Sequence, residues 1–482
     1  MDGIDKAVRR AWILTLIMVV ALLVNVTYVQ GFQAQDLRDN ALNARQFQDR
    51  NTTDRGPITA GGERLAWSVP VAGHRYERRY KDSIVFSPVT GYFSLFAQTG
   101  VENAANHILD GTDARLATTS FLDKLTGRHV PGGTVDTTID PDAQRAAYAA
   151  LRGSGARRGA AVVLDASTGA IRVLASYPSY DAGEVSTLNA KAAQRAFDRL
   201  NAAPRKPLLD KATGEVFPPG STFKTIVSAA DLAGGATTST SVRTGRSYLP
   251  PGTTRPINND EGDIGGLCDR SAIPLLDAYA QSCNTTFARM GAEDPGNTAI
   301  ADRAREYGFY AGVPIEKGMT SAASSFQRTD QPSLSALGSI GQGSTVATPL
   351  QMALVAAATI NDGSVMRPHL IARLRGADGS VVEEARPRRM SRPLTSDQAA
   401  DLLEMMREVV RTGTGKTLRG GPVGGGKTGT ADIDGASYND RWFIGFDSGD
   451  HPKYAVAVMT EADGYGIESG RLAARILGAL RD

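Results

Sequence analysis

Residues that usually bind metals are scarce in this sequence, which has five histidines and two cysteines among 482 residues. The histidines are scattered, and no cluster has the spacing of a zinc site, which is consistent with our expectation of neither a metal nor a cofactor. An excess of either charge is also missing, because 53 lysines and arginines stand against 51 aspartates and glutamates. This near-neutral balance gives no electrostatic indication of nucleic-acid binding, and we expect no nucleic-acid partner.

Charged residues are absent from one long segment near the N-terminus, which begins at Ala11 and ends before Asp36. Its core, AWILTLIMVVALLVNVTYVQ, matches the roughly 20 apolar residues that cross a bilayer as one helix. A cleaved signal peptide or a buried core helix is the alternative, but the run ends without an A-x-A pattern, which favours a retained anchor over residues 1–30. The preceding KAVRR is basic, which predicts a single-pass membrane protein with a cytoplasmic N-terminus and an extracytoplasmic body.

The rest of the chain divides into two predicted regions. Residues 31–157 are polar and turn-rich with short apolar pieces, and we interpret them as a β-rich pedestal that begins with a polar stalk. Near its end, TTIDPDAQRAAYAALRG predicts a helix, with Asp140 as the N-cap and Pro141 at the first helical position. We interpret residues 158–482 as a second, larger domain.

Strand and helix patterns occur in blocks within residues 158–482. GAAVVLDASTGAIRVLASYPS predicts a β-hairpin with Gly169 in its turn. The middle, from residue 211 to about residue 356, is rich in alanine and predicted to be mainly helical, and a capping box of Thr395 and Gln398 predicts a further helix. The C-terminal part returns to strands and closes with a helix. This order predicts an α+β fold, in which helices flank a sheet assembled from both ends of the domain.

The two cysteines, Cys268 and Cys283, are fifteen positions apart. Outside the cytoplasm a disulfide between them is permitted, and we treat it as a hypothesis. The alternative is a pair of unbonded thiols that behave as small apolar side chains. Sequence alone leaves both possibilities open.

The stretch FPPGSTFKTI contains the first pattern that suggests catalysis. Its Pro-Pro-Gly stops the preceding chain, so Ser221 is predicted at a helix N-terminus, with Lys224 one turn later on the same face. The free N–H groups and positive end of a helix stabilise an oxyanion beside such a serine, and a desolvated lysine can act as its base. The alternative is structural, since serine is a common N-cap and Lys224 can be a solvated surface residue.

Two further motifs follow in the chain and favour the catalytic interpretation. Ser282 and Asn284 form S-x-N within the predicted helical middle, and KTGT at 427–430 follows a glycine run on a predicted strand. The trio S-x-x-K, S-x-N and K-T-G is the signature of β-lactamases and penicillin-binding proteins, in which the serine of the first motif is the nucleophile.

From about residue 158 to its end, the chain resembles the transpeptidase domain of class B penicillin-binding proteins, the membrane-anchored D,D-transpeptidases of peptidoglycan synthesis. The likeness extends to VVLDASTGAIRVLASYPSYD, GQGSTVATPLQMALVAAATINDGSVMRPHL, GTGK and KTGTADIDGASYNDRWFIGF. RGPITAGGERLA resembles the Arg-Gly-x-Ile element of the class B pedestal. The resemblance covers almost the whole chain and is strongest to an actinobacterial branch associated with septal wall synthesis. It implies an antiparallel sheet flanked by helices, an all-α subdomain, a β-rich pedestal and one transmembrane helix.

The resemblance also implies a role for each residue of the first two motifs. Ser221 would be the nucleophile, and Lys224 would be its base during acylation. Ser282 would pass a proton to the leaving D-alanine, while Asn284 would hold the amide side chain of the substrate and contact Lys224.

The third motif would bind the end of the substrate. Lys427 would supply positive charge, and Thr428 and Thr430, which flank Gly429, would donate hydroxyl hydrogen bonds to the terminal carboxylate of a D-Ala-D-Ala stem peptide. The backbone N–H groups of Ser221 and Thr430 would form the oxyanion hole. The same serine would be acylated by β-lactam antibiotics.

Two other functions fit the same motifs. A D,D-carboxypeptidase or a β-lactamase-type hydrolase would share the acylation step, and a non-catalytic penicillin sensor or divisome scaffold would share the fold. Glu293 and Asn297 in EDPGN resemble a water-activating pair but follow S-x-N too closely, and we interpret them as part of a turn between helices. The region before residue 158 is too short for a glycosyltransferase, so the expected protein partners are a membrane glycan polymerase and division proteins.

Overall fold

The structure is a computed structural model that describes residues 2–28, 51–116, 131–260, 266–433 and 435–480. Most of the predicted stalk, residues 31–50, lies outside the described residues. The strands are β1 (Ile58–Ala60), β2 (Glu63–Val71), β3 (Arg75–Tyr80), β4 (Thr134–Thr137), β5 (Arg158–Asp165), β6 (Ile171–Tyr177), β7 (Ser241–Arg243), β8 (Ser247–Tyr248), β9 (Ile257–Asn258), β10 (Ala272–Pro274), β11 (Pro314–Glu316), β12 (Met319–Thr320), β13 (Val365–Met366), β14 (Ile371–Arg375), β15 (Val381–Glu384), β16 (Arg389–Ser391), β17 (Val423–Asp432), β18 (Asn439–Asp447) and β19 (Tyr454–Ala462).

The α-helices are α1 (Asp2–Tyr28), α2 (Ser83–Thr90), α3 (Gly100–Ala104), α4 (Asn106–Leu109), α5 (Pro141–Gly153), α6 (Ala182–Val185), α7 (Ala190–Ala202), α8 (Lys224–Ala233), α9 (Leu275–Ala280), α10 (Asn284–Ala292), α11 (Gly296–Glu306), α12 (Pro332–Ser339), α13 (Pro349–Ile360), α14 (Ser396–Arg411) and α15 (Ile467–Leu477). Short 3₁₀ turns occur at Ala114–Leu116, Gly220–Phe223, Leu267–Asp269 and Lys416–Leu418. Within α1, Ala11–Tyr28 has a mean hydropathy of 2.2 and is long enough to cross a membrane.

The main sheet is antiparallel, and its strand order is β17-β18-β19-β5-β6. The hairpin β5–β6 comes from the beginning of the predicted second domain and β17–β19 from its end, so the prediction of a sheet assembled from both ends is confirmed. Gly169 lies in the hairpin turn, as predicted, with φ +80°. A Cβ atom there would lie 2.3 Å from the backbone oxygen of Arg367, so this turn requires glycine.

Helices cover both faces of the main sheet. Alternate residues of a strand point to opposite faces, so Val162 of β5 packs in the core that contains α13, while Val163 packs with α5 and α15. Both faces therefore need apolar residues, which explains why the sequences of β5 and β19 are nearly continuous apolar runs. Asp140 caps α5 as predicted, because its carboxylate accepts hydrogen bonds from the N–H groups of Asp142 and Ala143.

The helical part of the domain comes from the chain between β6 and β17, where α8, α10, α11, α12 and α14 pack around one another beside the sheet. At the start of α14, Thr395 and Gln398 form the predicted capping box in both directions. The fold class predicted from the sequence is therefore confirmed. It is an α+β domain with a flanked antiparallel sheet and an all-α part, preceded by a β-rich region and an apolar N-terminal helix.

A second sheet organises the N-terminal region, with the strand order β15-β14-β4-β1-β2-β3. Glu102 is fully buried beside it and accepts hydrogen bonds from Arg55 at 2.9 Å and from Arg78 at 2.6 Å. Arg55 begins the RGPI element noted in the sequence, and this buried ion cluster ties that element to α3 and β3.

Two strands of this second sheet, β14 and β15, come from residues 371–384. β4 pairs with β1 in parallel and with β14 in antiparallel orientation, and Arg375 donates to Asp136 at 2.7 Å across that pair. This sheet therefore contains strands from both predicted regions, residues 31–157 and residues 158–482. That division stays a prediction.

Candidate active site

The turn that carries Ser221 is held between two other segments. Phe217 pairs with Ala347 through two backbone hydrogen bonds, and the indole N–H of Trp442 donates to the Pro218 carbonyl at 2.8 Å. Gly220 has φ +53°, and a Cβ atom there would lie 2.5 Å from the backbone oxygen of Thr430. Only glycine permits this contact, which brings the serine turn against β17.

Ser221 lies in a 3₁₀ turn, and the α-helix begins at Lys224, which differs from the predicted helix start at Ser221. The side chain of Ser221 caps neither element, and its Oγ makes no hydrogen bond with any residue that the structure describes. The structural alternative, in which Ser221 serves as an N-cap, is therefore not what the structure contains. Ser221 is partly exposed with its hydroxyl free.

Lys224 is fully buried, and its ammonium group points to the S-x-N motif. Nζ donates to the Ser282 carbonyl at 2.7 Å, to Ser282 Oγ at 3.1 Å and to Asn284 Oδ1 at 2.7 Å. Burial lowers the pKa of Lys224 to about 7, while the negative charge of Asp260 acts in the opposite direction. The predicted surface alternative for this lysine is therefore wrong, because the side chain has no exposure to solvent.

Lys427 is the second fully buried lysine of the site. Its Nζ donates to Ser282 Oγ at 2.8 Å and to the Thr428 carbonyl at 3.1 Å. Burial lowers the pKa of Lys427 well below its usual value, the charge of Lys224 lowers it further, and Asp260 raises it. Ser282 Oγ thus accepts hydrogen bonds from two ammonium groups, one from each of the other motifs.

Ser282 lies between α9 and α10 with φ +62°, an uncommon conformation for a residue other than glycine. Cys283 follows at the N-cap of α10, and its sulfur is bonded to that of Cys268, with 5.4 Å between the two Cα atoms. Both cysteines are fully buried. The disulfide therefore connects the segment that holds Ser282 and Asn284 to the 3₁₀ turn at Leu267–Asp269.

The K-T-G-T residues line the edge strand β17. Thr428 and Thr430 lie two positions apart on one face, with Gly429 on the other, where a Cβ atom would lie 2.9 Å from Cγ2 of Thr222. The hydroxyl of Thr428 shares a 2.7 Å hydrogen bond with that of Thr414, and the Thr430 hydroxyl accepts from the Gly466 N–H at 3.1 Å.

Two residues of this site are not assigned a role by the sequence motifs. Asp260 lies in a polar loop after β9, and Thr414 lies in the GTGK stretch, which indicates the family but no role for this threonine. By contrast Glu293 is outside the site. It forms ion pairs with Arg243 and with Arg289, at 3.0 Å for the latter, and it lies between α10 and α11 as predicted.

Two features together define the class of penicillin-recognising serine proteins. One is the main sheet with helices on both faces, and the other is a free serine that is followed one turn later by a buried lysine. Residues 159–481 match the family described as the penicillin binding protein transpeptidase domain. The chain therefore belongs to the penicillin-binding protein transpeptidase family. Residues 55–135 also match the family described as the penicillin binding protein A dimerisation domain.

Relatives resemble this chain along almost its full length. The peptidoglycan D,D-transpeptidase PbpA of Mycolicibacterium smegmatis is 36% identical over 481 residues, which cover 98% of this chain and 97% of the relative. The protein of that name from Mycobacterium tuberculosis has the same identity and coverage. The crystal structure of PBPA from M. tuberculosis has a TM-score of 0.82 and 34% identity, covering 89% of this chain and 99% of the other. A penicillin G acyl-enzyme complex of that protein gives the same values.

Proposed function

We propose that this protein is a membrane-anchored peptidoglycan D,D-transpeptidase that joins stem peptides through an acyl-enzyme on Ser221. The observation that carries the proposal is the position of Ser282 Oγ, which accepts hydrogen bonds from Lys224 and Lys427 beside the serine turn. Membership of the transpeptidase family and full-length similarity to proteins named peptidoglycan D,D-transpeptidases support the same activity.

In the acylation step, Ser221 Oγ attacks the carbonyl carbon of the penultimate D-alanine and transfers its proton to Lys224. A lysine accepts a proton only when it is neutral, and a pKa of about 7 makes a large fraction of Lys224 neutral near neutral pH. The C–N bond to the terminal D-alanine then breaks, and the leaving amine takes a proton through Ser282. A β-lactam would acylate the same oxygen.

Substrate binding is assigned to β17 and the serine turn. Lys427, Thr428 and Thr430 would hold the terminal carboxylate of the D-Ala-D-Ala stem peptide. The N–H groups of Ser221 and Thr430 would form the oxyanion hole, in which each donor contributes about 3 kcal/mol to transition-state stabilisation. The close approach of Gly220, the residue before Ser221, to the backbone of Thr430 supports this assignment.

In the second step, an amine of another stem peptide attacks the acyl carbonyl carbon, the ester bond to Ser221 breaks, and the serine regains its proton. A hydrolase would use water instead and would need a group to activate it. Glu293, the candidate for that task, is held in ion pairs with Arg243 and Arg289. This observation and the similarity to proteins named peptidoglycan D,D-transpeptidases make transfer to an amine the better-supported outcome.

The location and partners form a finer part of the proposal. We propose that α1 is a single-pass anchor with a cytoplasmic N-terminus, which leaves the catalytic domain extracytoplasmic. The similarity to an actinobacterial branch supports a role in septal wall synthesis, beside a membrane glycan polymerase and other division proteins.

The proposal is tested with the full-length protein in detergent micelles and a thioester analogue of the donor peptide. With a D-amino acid present, we expect thioester consumption to yield the amide product, and Ser221→Ala to remove both consumption and product. Consumption that yields only the hydrolysed acid at every amine concentration would contradict the transpeptidase proposal and favour a carboxypeptidase.

A further inference from the structure

Asp260 is an acidic residue beside the site that contains the two buried lysines, Lys224 and Lys427. It follows β9, and its Oδ1 accepts a hydrogen bond from Asn284 Nδ2 at 3.3 Å. Asn284 Nδ2 also donates to the Asn258 carbonyl at 3.1 Å, while Asn284 Oδ1 accepts from Lys224 Nζ at 2.7 Å. Two acceptors on one side and an ammonium donor on the other fix the orientation of this amide.

A second buried cation lies close to Lys224. Lys427 lies across Ser282 Oγ from it, and Tyr279, whose ring lies 5.7 Å from Lys427 Nζ, is neutral because burial raises its pKa. Among the residues that the structure describes, Asp260 is the carboxylate whose charge acts on both buried lysines. Within the described part of the chain it is therefore the counter-charge of the pair, and it is connected to Lys224 through Asn284.

We infer that Asp260 is a positioning residue for acyl transfer, which orients Asn284 toward Lys224 and supplies the negative charge beside which Lys224 exchanges its proton. This inference rests on the proposed roles of Ser221 and Lys224. Asp260 itself is exposed at the mouth of the site, whereas both lysines are buried, so its charge can be removed without opening the core.

The sign of the effect follows from the charges. A nearby carboxylate favours the ammonium form of Lys224, so it raises the pH above which the lysine is neutral and able to accept the serine proton. Removal of that charge should let Lys224 lose its proton at lower pH. The acid limb of the acylation rate is the pH range over which the rate falls as the solution becomes more acidic. This limb should therefore move to lower pH.

The test measures the rate constant of acylation by a fluorescent penicillin as a function of pH, with the full-length protein in detergent micelles. Asp260→Asn removes the charge but keeps an oxygen that can accept from Asn284, so we expect the acid limb to move down by about half a pH unit, with little change in the plateau. Asp260→Ala removes both functions, and its plateau should also fall by roughly tenfold. Asp260→Glu should restore the wild-type limb.

The matched control is Asp378→Asn, which removes an exposed carboxylate from the turn between β14 and β15 and changes the net charge equally. An unshifted limb in Asp260→Asn, or an equal shift in Asp378→Asn, would overturn the inference while leaving the proposed function intact. Absence of acylation in the wild-type protein would overturn the proposed function and this inference with it. Thermal unfolding of each variant checks that the fold is retained.

Discussion

Ser282 is the residue at which the two buried ammonium groups meet. Its Oγ lies 3.1 Å from Lys224 Nζ and 2.8 Å from Lys427 Nζ, and its backbone adopts φ +62°. A hydroxyl can accept two hydrogen bonds and still donate its own proton, so this serine can pass a proton between substrate and lysine. An uncommon backbone conformation at such a position is the kind of strain that active sites retain.

For the single residue we predict that Ser282→Ala reduces the rate at which a β-lactam acylates the protein, on the order of a hundredfold, because one proton-transfer group is lost. Its free energy of unfolding should fall by only about 1–2 kcal/mol, since both lysines keep other acceptors. Stopped-flow acylation and chemical denaturation measure the two quantities.

Ser228→Ala is the matched control, because Ser228 is a fully buried serine of α8 whose Oγ has no hydrogen-bond partner among the described residues. Its acylation rate should equal that of the wild type. A Ser282→Ala variant that acylates as fast as Ser228→Ala would contradict the role given to Ser282.

The motif residues are predictable from the sequence because their spacing is local and their order along the chain is distinctive. Asp260 could not be found in this way, since its contact with Asn284 spans 24 positions and its loop has no pattern beyond polarity. The pairing of Thr414 with Thr428 was equally hidden, because it depends on how α14 and β17 pack. Contacts made only in the folded chain leave no local signal.

At the scale of elements, the disulfide fixes the start of α10. Cys283 lies between the two functional residues of S-x-N, and it is bonded to Cys268 in the 3₁₀ turn. The backbone carbonyl of Cys268 accepts hydrogen bonds from the side chains of Thr244 and Asn259. Asn259 Oδ1 in turn accepts from the N–H of Thr285. The bond thus belongs to a small network that holds one wall of the site.

We predict that reduction of this disulfide lowers the free energy of unfolding by about 3 kcal/mol, the entropy of closing a fifteen-residue loop. The acylation rate should also fall, because Ser282 and Asn284 lose a fixed neighbour. Denaturant titrations with and without reductant measure the first effect. The double variant Cys268→Ala with Cys283→Ala is the control and should not respond to reductant, and equal midpoints for reduced and oxidised wild type would contradict the prediction.

Elements that are determined by neighbouring residues were predictable, whereas one element that is determined by contacts with distant residues was not. The helix over Pro141–Gly153 and the capping box of α14 follow from neighbouring residues, so the sequence predicts both. The 3₁₀ turn at Gly220–Phe223 replaces a predicted helix start, because Gly220 is held by the backbone of Thr430 and by a hydrogen bond to the Gly341 carbonyl. Those two contacts come from distant parts of the chain.

At the scale of the whole molecule, both sheets join segments that are far apart in sequence. The main sheet places β17 beside the serine turn, although about 200 residues separate the two motifs. Its assembly from both ends was predictable because two strand-rich blocks flank a helical one. The pairing of β14 with β4 was not, since a short strand at residues 371–375 gives no indication of its partner.

The three motifs are expected to form one acylation site at Ser221, and mass spectrometry of a penicillin adduct tests this most directly. The full-length protein is incubated with benzylpenicillin, digested and mapped. We predict a single penicilloyl group on the peptide that contains Ser221, and none in Ser221→Ala. An adduct on any other residue, an undiminished adduct in Ser221→Ala, or no adduct on the folded wild-type protein would contradict the account.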